Sequence, residues 1–365
     1  MMPRVQRIGL IGPLPPPAGG MANQTRQLKE LLEGEGLFVH LVQVNAPYRP
    51  AWLGRIKGVR ALLRMIPYLF ALWRCAGQVQ LFHVMANSGW SWHLFAAPAI
   101  WIARMRGIPV VVNYRGGEAK NFLSRSRFWV LPSLTRASAL IVPSGFLKEV
   151  FAAFGVEAEI VPNVVDLSRF HPAAGVPAGG DVPHIVVTRN LEPIYDVGTA
   201  IQAFAAVRVV VPAAVLTIAG SGPERTSLEE LVRQLELGDA VKFTGRLDRN
   251  RMADLYRAAS LMVNPSLVDN APNSILEAMA SGVPVVSTHV GGVPYLVTDG
   301  ASAILVPPGN PSAMAAAILR ILQERELAQA LRDTGLEDVR QYTWLAVSVR
   351  LFAIYNRLCT RSVAG

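Results

Sequence analysis

The sequence has few cysteines and no long apolar run. Cys75 and Cys359 are the two cysteines among 365 residues. That number is too small for a disulfide framework and indicates a reducing compartment. No stretch approaches the roughly 20 apolar residues that a membrane-spanning helix needs. The apolar run RIGLIG near the start is too short for a secretory signal and runs into prolines. We therefore expect a cytoplasmic protein.

Acidic residues are missing from a long part of the first half. None occurs between Glu35 and Glu118, where nine arginines or lysines are found. Residues 1–172 hold 19 Lys+Arg against 8 Asp+Glu, giving +11, and the remainder holds 16 against 18, giving −2, for a total of +9. The first half therefore has a basic face, whose usual partners are nucleic acid or an anionic membrane surface.

The chain is long enough for two domains. It is 51% apolar, and both halves alternate short apolar strands with helical patterns, which is typical of doubly wound parallel sheets. We predict an α/β chain with one Rossmann-like domain over 1–172, a second over 173–345 and a last helix over 346–365 that returns to the first domain. The Gly-, Pro- and Ala-rich segment 173–183 is the predicted linker.

Neither predicted sheet has the dinucleotide-binding fingerprint. The first strands of the two halves lead into PLPPPAGG and NLEPIYDVG, which lack G-x-G-x-x-G, so a nicotinamide or flavin enzyme is disfavoured. The first loop ends in Gly19 and Gly20, directly before a predicted helix over 21–32. Its glycines let N–H groups approach a phosphate at the helix N-terminus. A plain surface turn has the same composition and is the alternative.

Two strand ends of the second half are candidate ligand contacts. Arg189 ends the strand HIVVTR, at the sheet edge where ligands of open parallel sheets bind, and its guanidinium suits a phosphate. A solvated loop arginine is the alternative. The segment AVKFTGRL ends in Gly245, Arg246 and Leu247, whose backbone is a weaker candidate for contact with a nucleotide base.

Polar side chains also cluster before the small-residue helix SILEAMASG. Asp269 and Glu277 lie eight residues apart, with Asn270, Asn273 and Ser274 between them. Asn, Ser and an intervening proline suit a helix start. The carboxylates suit sugar hydroxyls, and the N–H groups of this loop suit a diphosphate. An ordinary capping box is the alternative.

Together, six segments resemble the retaining glycosyltransferases of the large bacterial family 4 type. They are GPLPPPAGG, VPNVVDLSRF, LTIAGSGPE, VKFTGRL, PNSILEAMASGVPVVSTHVGGVPYLVTDG and ILVPPGNPSAMAAAI. The resemblance covers nearly the whole chain and implies the GT-B architecture, with two Rossmann-like domains facing across a cleft. It implies a nucleotide-diphosphate sugar as donor substrate and no separate cofactor. The implied acceptor is a glycan or lipid-linked glycan in cell-surface polysaccharide synthesis.

The resemblance also implies roles for single residues. Glu277 would bind the ribose hydroxyls, Asp269 with Asn270 would face the donor sugar, and Asn273 and Ser274 would hold the diphosphate through their N–H groups. In the first domain, the glycine pair at 19 and 20 would approach the diphosphate.

The sequence departs from the family pattern at two cationic positions. Arg189 would neutralise the diphosphate, but the lysine that usually follows about five residues later is replaced by the region of Ile194 and Tyr195. A histidine usually follows the fourth strand, and Arg115 stands there. Arginine cannot act as a general base at neutral pH, so we expect Arg115 to bind the diphosphate and partly replace the lost lysine.

Other residues near Arg115 are candidates for the acceptor. Glu118 or Lys120 would orient it, and His83 and His93 are weaker candidates. His83 lies at the end of a predicted strand, where a histidine is typically structural. The sequence has no Asp-x-Asp motif, and the arginines can supply the positive charge, so we expect no metal ion.

A basic amphipathic helix is predicted over 56–76, with a kink at Pro67. Arg60 and Arg64 share one face. Such a helix can lie on anionic lipid, and a core-packing helix is the alternative. We favour peripheral contact with the inner face of the cytoplasmic membrane and no nucleic-acid partner. The apolar residues at helical spacing are Trp52, Ile56, Val59, Leu62, Leu63, Ile66, Leu69, Phe70 and Trp73.

Two other classes of function stay open. A GT-B sugar-nucleotide epimerase would be expected to have a different set of carboxylates and a histidine. A nucleotide-sugar-binding protein without catalysis is the other class, because the usual lysine and histidine are missing.

Overall fold

The computed structural model describes residues 5–16, 19–46, 59–173 and 182–361. The chain forms two compact units. Unit 1 joins Met1–Pro162 to Val347–Gly365, and unit 2 is Asn163–Ala346.

The division falls earlier than the boundary expected at residue 172. The Asn163 side chain donates to the Ala271 carbonyl, and the Val165 N–H donates to the Tyr342 carbonyl, so this segment belongs to unit 2. Most of the expected linker, residues 174–181, lies outside the described residues.

Unit 1 contains a parallel six-stranded sheet in the order β2-β1-β3-β4-β5-β6. Strands β3 and β4 are buried along their whole length, which is typical of parallel strands covered on both faces. The strands are β1 (Arg7–Gly12), β2 (Phe38–Gln43), β3 (Leu81–Ala86), β4 (Val110–Tyr114), β5 (Ala139–Val142) and β6 (Glu159–Ile160). The helices between them are α1 (Gly20–Gly34), α2 (Val59–Ala76), α3 (Ala97–Met105), α4 (Ala119–Leu134) and α5 (Gly145–Ala152).

Unit 2 contains a second parallel six-stranded sheet, in the order β12-β11-β10-β7-β8-β9. Its strands are β7 (His184–Val187), β8 (Val215–Ile218), β9 (Val241–Phe243), β10 (Leu261–Asn264), β11 (Val285–Thr288) and β12 (Ile304–Val306). Its helices are α6 (Val197–Val210), α7 (Arg225–Gln234), α8 (Arg249–Arg257), α9 (Asn273–Ala280), α10 (Pro311–Gln323) and α11 (Arg325–Asp338). The two sheets confirm the predicted α/β class.

The last helix, α12 (Trp344–Arg361), belongs to unit 1 from Val347 onward. Arg357 forms an ion pair with Glu159 at the end strand of that sheet. The Tyr355 hydroxyl is 2.7 Å from Nδ1 of His83 in β3. The helix is thus joined to unit 1 by polar contacts near both the edge and the centre of the sheet.

The segment before α3 contains a π-helical turn, Trp92–Ala96, which continues directly into α3 at Ala97. The ordinary capping box, given above as the alternative for the start of α9, does not form. The N-cap residue of α9 is Pro272, and no side chain caps it, so the first N–H groups of α9 have no side-chain cap.

No helix within the described ranges is both long enough and apolar enough to cross a lipid bilayer.

We predict that Gly220→Ala disrupts the loop after β7. Gly220 follows β8, and a Cβ added there would lie 1.9 Å from the Arg189 carbonyl oxygen. The main chain must move to make room, and we expect unfolding free energy to fall by about 2 kcal/mol or more. Thermal denaturation measures this. Gly198→Ala in α6 is the control, because its added Cβ would meet no atom closer than 3.7 Å. Equal melting temperatures for the two variants would contradict the prediction.

Candidate functional site

The strand order of unit 2 creates a crevice between the loops that follow β7 and β10. The chain leaves β7 toward β8 on one side, and β10 begins the other half of the sheet. Ligands of doubly wound sheets bind at such a switch point, beyond the carboxyl ends of the strands. Arg189 follows β7, and Asp269 lies in the loop after β10. The topology therefore brings together two predicted residues that are far apart in sequence.

Arg189 and Asp269 form a mostly buried ion pair. Nη2 of Arg189 is 2.6 Å from Oδ2 of Asp269, and the side chains are only 12% and 10% exposed. Nη1 of Arg189 is 3.5 Å from the Ser274 hydroxyl. The guanidinium also lies over the Tyr195 ring, 4.1 Å from its centroid. Tyr195, in the region where the usual lysine is missing, thus stacks on the arginine.

The ion pair retains unused hydrogen-bonding capacity. Among the described residues, Nε of Arg189 and Oδ2 of Asp269 are buried without a directed hydrogen bond. Burial raises the pKa of Asp269, and the Arg189 charge and the Asn270 N–H oppose that rise. Arg189 was expected to neutralise a diphosphate; in the structure its charge is balanced by Asp269, and its Nε–H has no hydrogen-bond partner among the described residues.

Helix α9 places Glu277 one turn from its N-terminus. Burial raises the pKa of the Glu277 carboxyl to about 7, and the Arg249 charge opposes the rise. The Asn273 side chain accepts a hydrogen bond from Asn163, at 2.6 Å, so that side chain is used inside the unit. What the start of α9 offers a ligand is its backbone N–H groups and the dipole of the helix.

Tyr256 braces both walls of this crevice, and nothing in the sequence pattern pointed to it. Its hydroxyl is 2.7 Å from that of Thr188 at the end of β7 and donates to the Ser274 carbonyl in α9, at 3.2 Å. Gly291 matters for a similar reason: a Cβ there would lie 2.1 Å from the Asp269 carbonyl oxygen. The glycines in the motif HVGGVP were the available sequence signal for this close packing.

The third expected contact region, Gly245–Leu247, is a loop after β9 and not a continuation of that strand. Gly245 has a left-handed backbone, with φ of 70°. Nε of Arg246 donates to the Ser221 hydroxyl at 2.8 Å, and the Ser221 carbonyl accepts from the Leu191 N–H at 3.2 Å. The loops after β7, β8 and β9 are therefore connected in series at the same edge of the sheet.

Unit 1 has its own switch point between β1 and β3. Gly19 is the extended N-cap residue of α1, and Gly20 is its first residue. A Cβ on either would meet no atom within 4 Å among the described residues, so packing there does not require glycine, and the backbone is open to close approach by a ligand. The Asn45 side chain holds the preceding loop through both the N–H and the carbonyl of Leu14.

A buried row of polar side chains ends at Arg115. Nε of Arg115 donates to Oδ1 of Asn113, at 2.6 Å. The Asn113 amide then faces Nε2 of His83, at 2.9 Å, and Nδ1 of His83 faces the Tyr355 hydroxyl. This orientation requires His83 to accept at Nε2 and to donate from Nδ1. His83, expected to be structural, thus fixes the amide that orients Arg115.

The electrostatics of this row follow from burial. Burial, with the Arg115 charge, lowers the pKa of His83 to about 3, so the ring is neutral at physiological pH. Burial also lowers the pKa of Arg115 to about 10, which leaves it charged. Nη1 of Arg115 is buried without a hydrogen-bond partner in the described part of the chain. Arg115 therefore presents an oriented donor that an oxyanion would satisfy.

Glu118 and Lys120, the two residues expected to orient the acceptor, follow β4, as Arg115 does. Glu118 is exposed and takes the N-cap position of α4 without capping it, and Lys120 is exposed in the first turn. Within the described ranges, no three His, Cys, Asp or Glu side chains are grouped as metal ligands.

Two family models match the chain. Residues 175–338 match "Glycosyl transferases group 1", and residues 18–169 match "Glycosyltransferase Family 4".

Curated relatives are glycosyltransferases and synthases. The chain is 28% identical to glycogen synthase of Mycobacterium tuberculosis, over 72% of this chain and 66% of that protein. It is 29% identical to D-inositol 3-phosphate glycosyltransferase 2 of Catenulispora acidiphila, over 58% of this chain and 53% of that protein. The match to phosphatidyl-myo-inositol mannosyltransferase of Mycobacterium leprae is 26% identical and covers 97% of both chains. The chain thus spans between about half and two thirds of the first two relatives.

Solved structures share the fold. Sucrose-phosphate synthase from Thermosynechococcus elongatus matches with a TM-score of 0.75 and 24% identity, over 98% of this chain and 100% of that one. HepE from Anabaena, solved with UDP and glucose, matches with a TM-score of 0.76 and 18% identity, over 97% and 100%. Two family models that follow one another along most of the sequence, together with the GT-B fold, show that this chain belongs to the group 1 glycosyltransferases of the family 4 type.

Proposed function

We propose that the protein transfers a sugar from a nucleotide-diphosphate sugar to a glycan or lipid-linked glycan, with retention of anomeric configuration. The observation that carries the proposal is the convergence of Arg189, Asp269 and the uncapped start of α9 at the switch point of unit 2. A buried donor, a carboxylate and helix N–H groups at one sheet edge suit a sugar linked to a diphosphate.

Each group has a distinct role in donor binding. The N–H groups at the start of α9 and Nε of Arg189 bind the diphosphate. Glu277 accepts hydrogen bonds from the ribose hydroxyls, and Asp269 with Asn270 faces the sugar. HepE, which shares the fold, was solved with UDP and glucose, and this supports a nucleotide donor here.

Stabilisation of the leaving group drives the reaction. The bond between the anomeric carbon and the phosphate oxygen breaks, and the acceptor oxygen bonds to the same face of that carbon. The acceptor proton moves to the departing phosphate oxygen. Fixed donors aimed at that oxygen are the largest effect available, worth about 3 kcal/mol for each lost donor in comparable sites.

Unit 1 supplies groups suited to phosphate oxygens and to the acceptor. The open backbone at Gly19 and Gly20 admits a phosphate closely, and Nη1 of Arg115 is an unsatisfied donor. Glu118 and Lys120 are exposed beyond the same strand as Arg115 and orient the acceptor. We place the reaction on the inner face of the cytoplasmic membrane, in cell-surface polysaccharide synthesis, because the first half of the chain is strongly basic.

We predict that Arg189→Ala abolishes the thermal stabilisation of the protein by its nucleotide-sugar donor. Wild-type protein is melted with UDP-, GDP- and ADP-sugars in turn, and one nucleotide class is expected to raise the melting temperature through binding to the folded state. Arg189→Ala removes the guanidinium N–H groups that bind the diphosphate, so this rise in melting temperature should disappear.

The control is Arg251→Ala in α8, whose side chain is 76% exposed and lies in the same unit. It should retain the wild-type shift. The absence of any shift in the wild type, or an unchanged shift in Arg189→Ala, would contradict the proposal. A shift without donor hydrolysis or transfer would instead identify a binding protein without catalysis.

We predict that donor affinity rises with pH. The free Glu277 carboxyl has a pKa of about 7, and accepting ribose hydroxyls requires its ionised form. Affinity should therefore increase about tenfold between roughly pH 6 and 8, because ionisation on binding releases a proton. Isothermal titration calorimetry in buffers of different ionisation enthalpy would measure that proton. A flat affinity across this range would contradict the assigned role of Glu277.

Glu277→Gln is the matched variant. It should bind the donor weakly and without this pH dependence. Because the folded pKa is raised, the wild type loses stability as pH rises from about 4.5 through 7. Gln cannot ionise, so the free variant should melt like the wild type near pH 5 and at a higher temperature near pH 8. This pattern separates loss of the ribose contact from misfolding.

A further inference from the structure

Three consecutive helices cover one face of the sheet in unit 1. The connections β2 to β3, β3 to β4 and β4 to β5 all advance in the same direction across the sheet. Right-handed crossovers therefore place α2, α3 and α4 on the same face, and α3 is in contact with both of the others. We call the outward side of these helices the α2–α4 face.

The α2–α4 face exposes large apolar side chains. On α2, Ile66, Phe70 and Trp73 are 60%, 68% and 46% exposed, and their spacing places them in one stripe. The core side of the helix is formed by other residues, such as Leu72, which is fully buried. The apolar stripe of the predicted amphipathic helix thus faces outward. The part of that prediction that concerns Trp52, Ile56, Val59, Arg60, Leu62 and Leu63 lies outside the described side chains.

The exposed apolar surface continues onto the next two helices. Phe128 and Trp129 on α4 are 84% and 77% exposed, and Met105 at the end of α3 is 63% exposed. Trp101 on α3 is 39% exposed and donates from its indole N–H to Ser133 of α4, at 3.1 Å. The surface of a soluble protein seldom exposes so many large apolar side chains on adjacent helices unless they form a binding site.

Arginines are interleaved with these aromatic rings. Arg106 lies 4.8 Å from the Trp73 ring centroid, and Arg136 lies 4.3 Å from that of Trp101. Helices α2, α3 and α4 contain no acidic residue. The surface is therefore apolar and uniformly cationic.

A cationic cavity opens at the C-terminal ends of α3 and α4. It has a volume of about 510 Å³, and Arg104, Thr135, Arg136, Ala137 and Ser138 line it. Two guanidinium groups and hydroxyls, with no carboxylate, suit a phosphate. The cavity adjoins Trp101 through Arg136, so groups suited to a phosphate lie next to an aromatic side chain that suits a membrane interface.

We propose that the α2–α4 face is a docking surface for an anionic phospholipid bilayer. Phe128, Trp129 and the α2 stripe enter the interfacial region, and the Arg104–Arg136 cavity takes a lipid phosphate. The proposal deepens the peripheral location given under the proposed function, but it does not depend on the chemistry of the donor.

The charge and composition of the face favour this occupant. A second copy of the chain would place like charges opposite each other. Nucleic-acid binding depends on phosphate contacts and base stacking, and it gains little from aliphatic groups such as Ile66 and Met105. Anionic lipid is the partner that uses both the positive charge and the aliphatic surface.

The test is co-sedimentation of the full chain with vesicles. Wild-type protein should bind phosphatidylcholine vesicles containing phosphatidylglycerol and bind pure phosphatidylcholine poorly. Phe128→Ser combined with Trp129→Ser should weaken binding about tenfold or more, because two large apolar groups no longer enter the interface. Trp90→Ser is the control, since Trp90 is 78% exposed but lies before α3, outside the three helices. It should bind like the wild type.

A second pair of variants tests the cavity. Arg104→Gln with Arg136→Gln should reduce binding to phosphatidylglycerol vesicles toward the phosphatidylcholine level. Arg233→Gln with Arg251→Gln, which removes the same charge from exposed sites of unit 2, should reduce it little.

Several outcomes would overturn the proposal. These are no binding of the wild type to anionic vesicles, wild-type binding by the Phe128/Trp129 variant, binding of RNA that this variant abolishes, and a dimer in solution that it disrupts. The donor melting shift is measured on the same variants. This shift should be the same in the variants as in the wild type. Loss of vesicle binding can therefore be distinguished from loss of donor binding.

Discussion

The buried pair of Arg189 and Asp269 is the interaction on which the site of unit 2 depends. It links the loop after β7 to the loop after β10, the two strands that flank the switch point. Burying either charge alone would cost several kcal/mol, so each loop can hold its charged side chain only while the other is in place. Tyr195 covers the guanidinium, and Tyr256 ties the end of β7 to the first turn of α9. The crevice is therefore set by mutual constraint between loops.

Close backbone packing gives those loops little freedom. Gly220 and Gly222 lie against the main chain of Arg189 and Leu191, and Gly291 lies against that of Asp269. Side chains at these positions would separate loops that the ion pair holds together. The motifs GSG and HVGG thus serve the geometry of the charged pair. At Gly19 and Gly20, by contrast, an added Cβ would meet no described atom within 4 Å, so the space there is open to a ligand.

The alternation of strands and helices along the sequence made the fold predictable. The contacts within the site were not predictable, because they join residues that are far apart in sequence. Short apolar strands that alternate with helical segments in both halves are a local signal, and both sheets are parallel as this alternation predicts. The two-residue β6 is too short for any pattern. Arg189 and Asp269 were each identified as candidates, but their pairing depends on strand order, which local sequence does not encode. The capping box at the start of α9 does not form, because Pro272 takes the N-cap position and Asn273 and Ser274 lie inside the first turn.

Each unit contains a buried arginine, and the two arginines have different kinds of partner. Arg189 is balanced by a carboxylate, whereas Arg115 is oriented by a neutral amide and imidazole. Because the pKa of His83 is lowered to about 3, the ring accepts from Asn113 throughout the physiological range, and the Arg115 guanidinium keeps one orientation. In unit 2, burial raises the pKa of Glu277 to about 7. A change of pH near 7 therefore alters the charge of Glu277, while Arg115 stays charged and keeps its orientation.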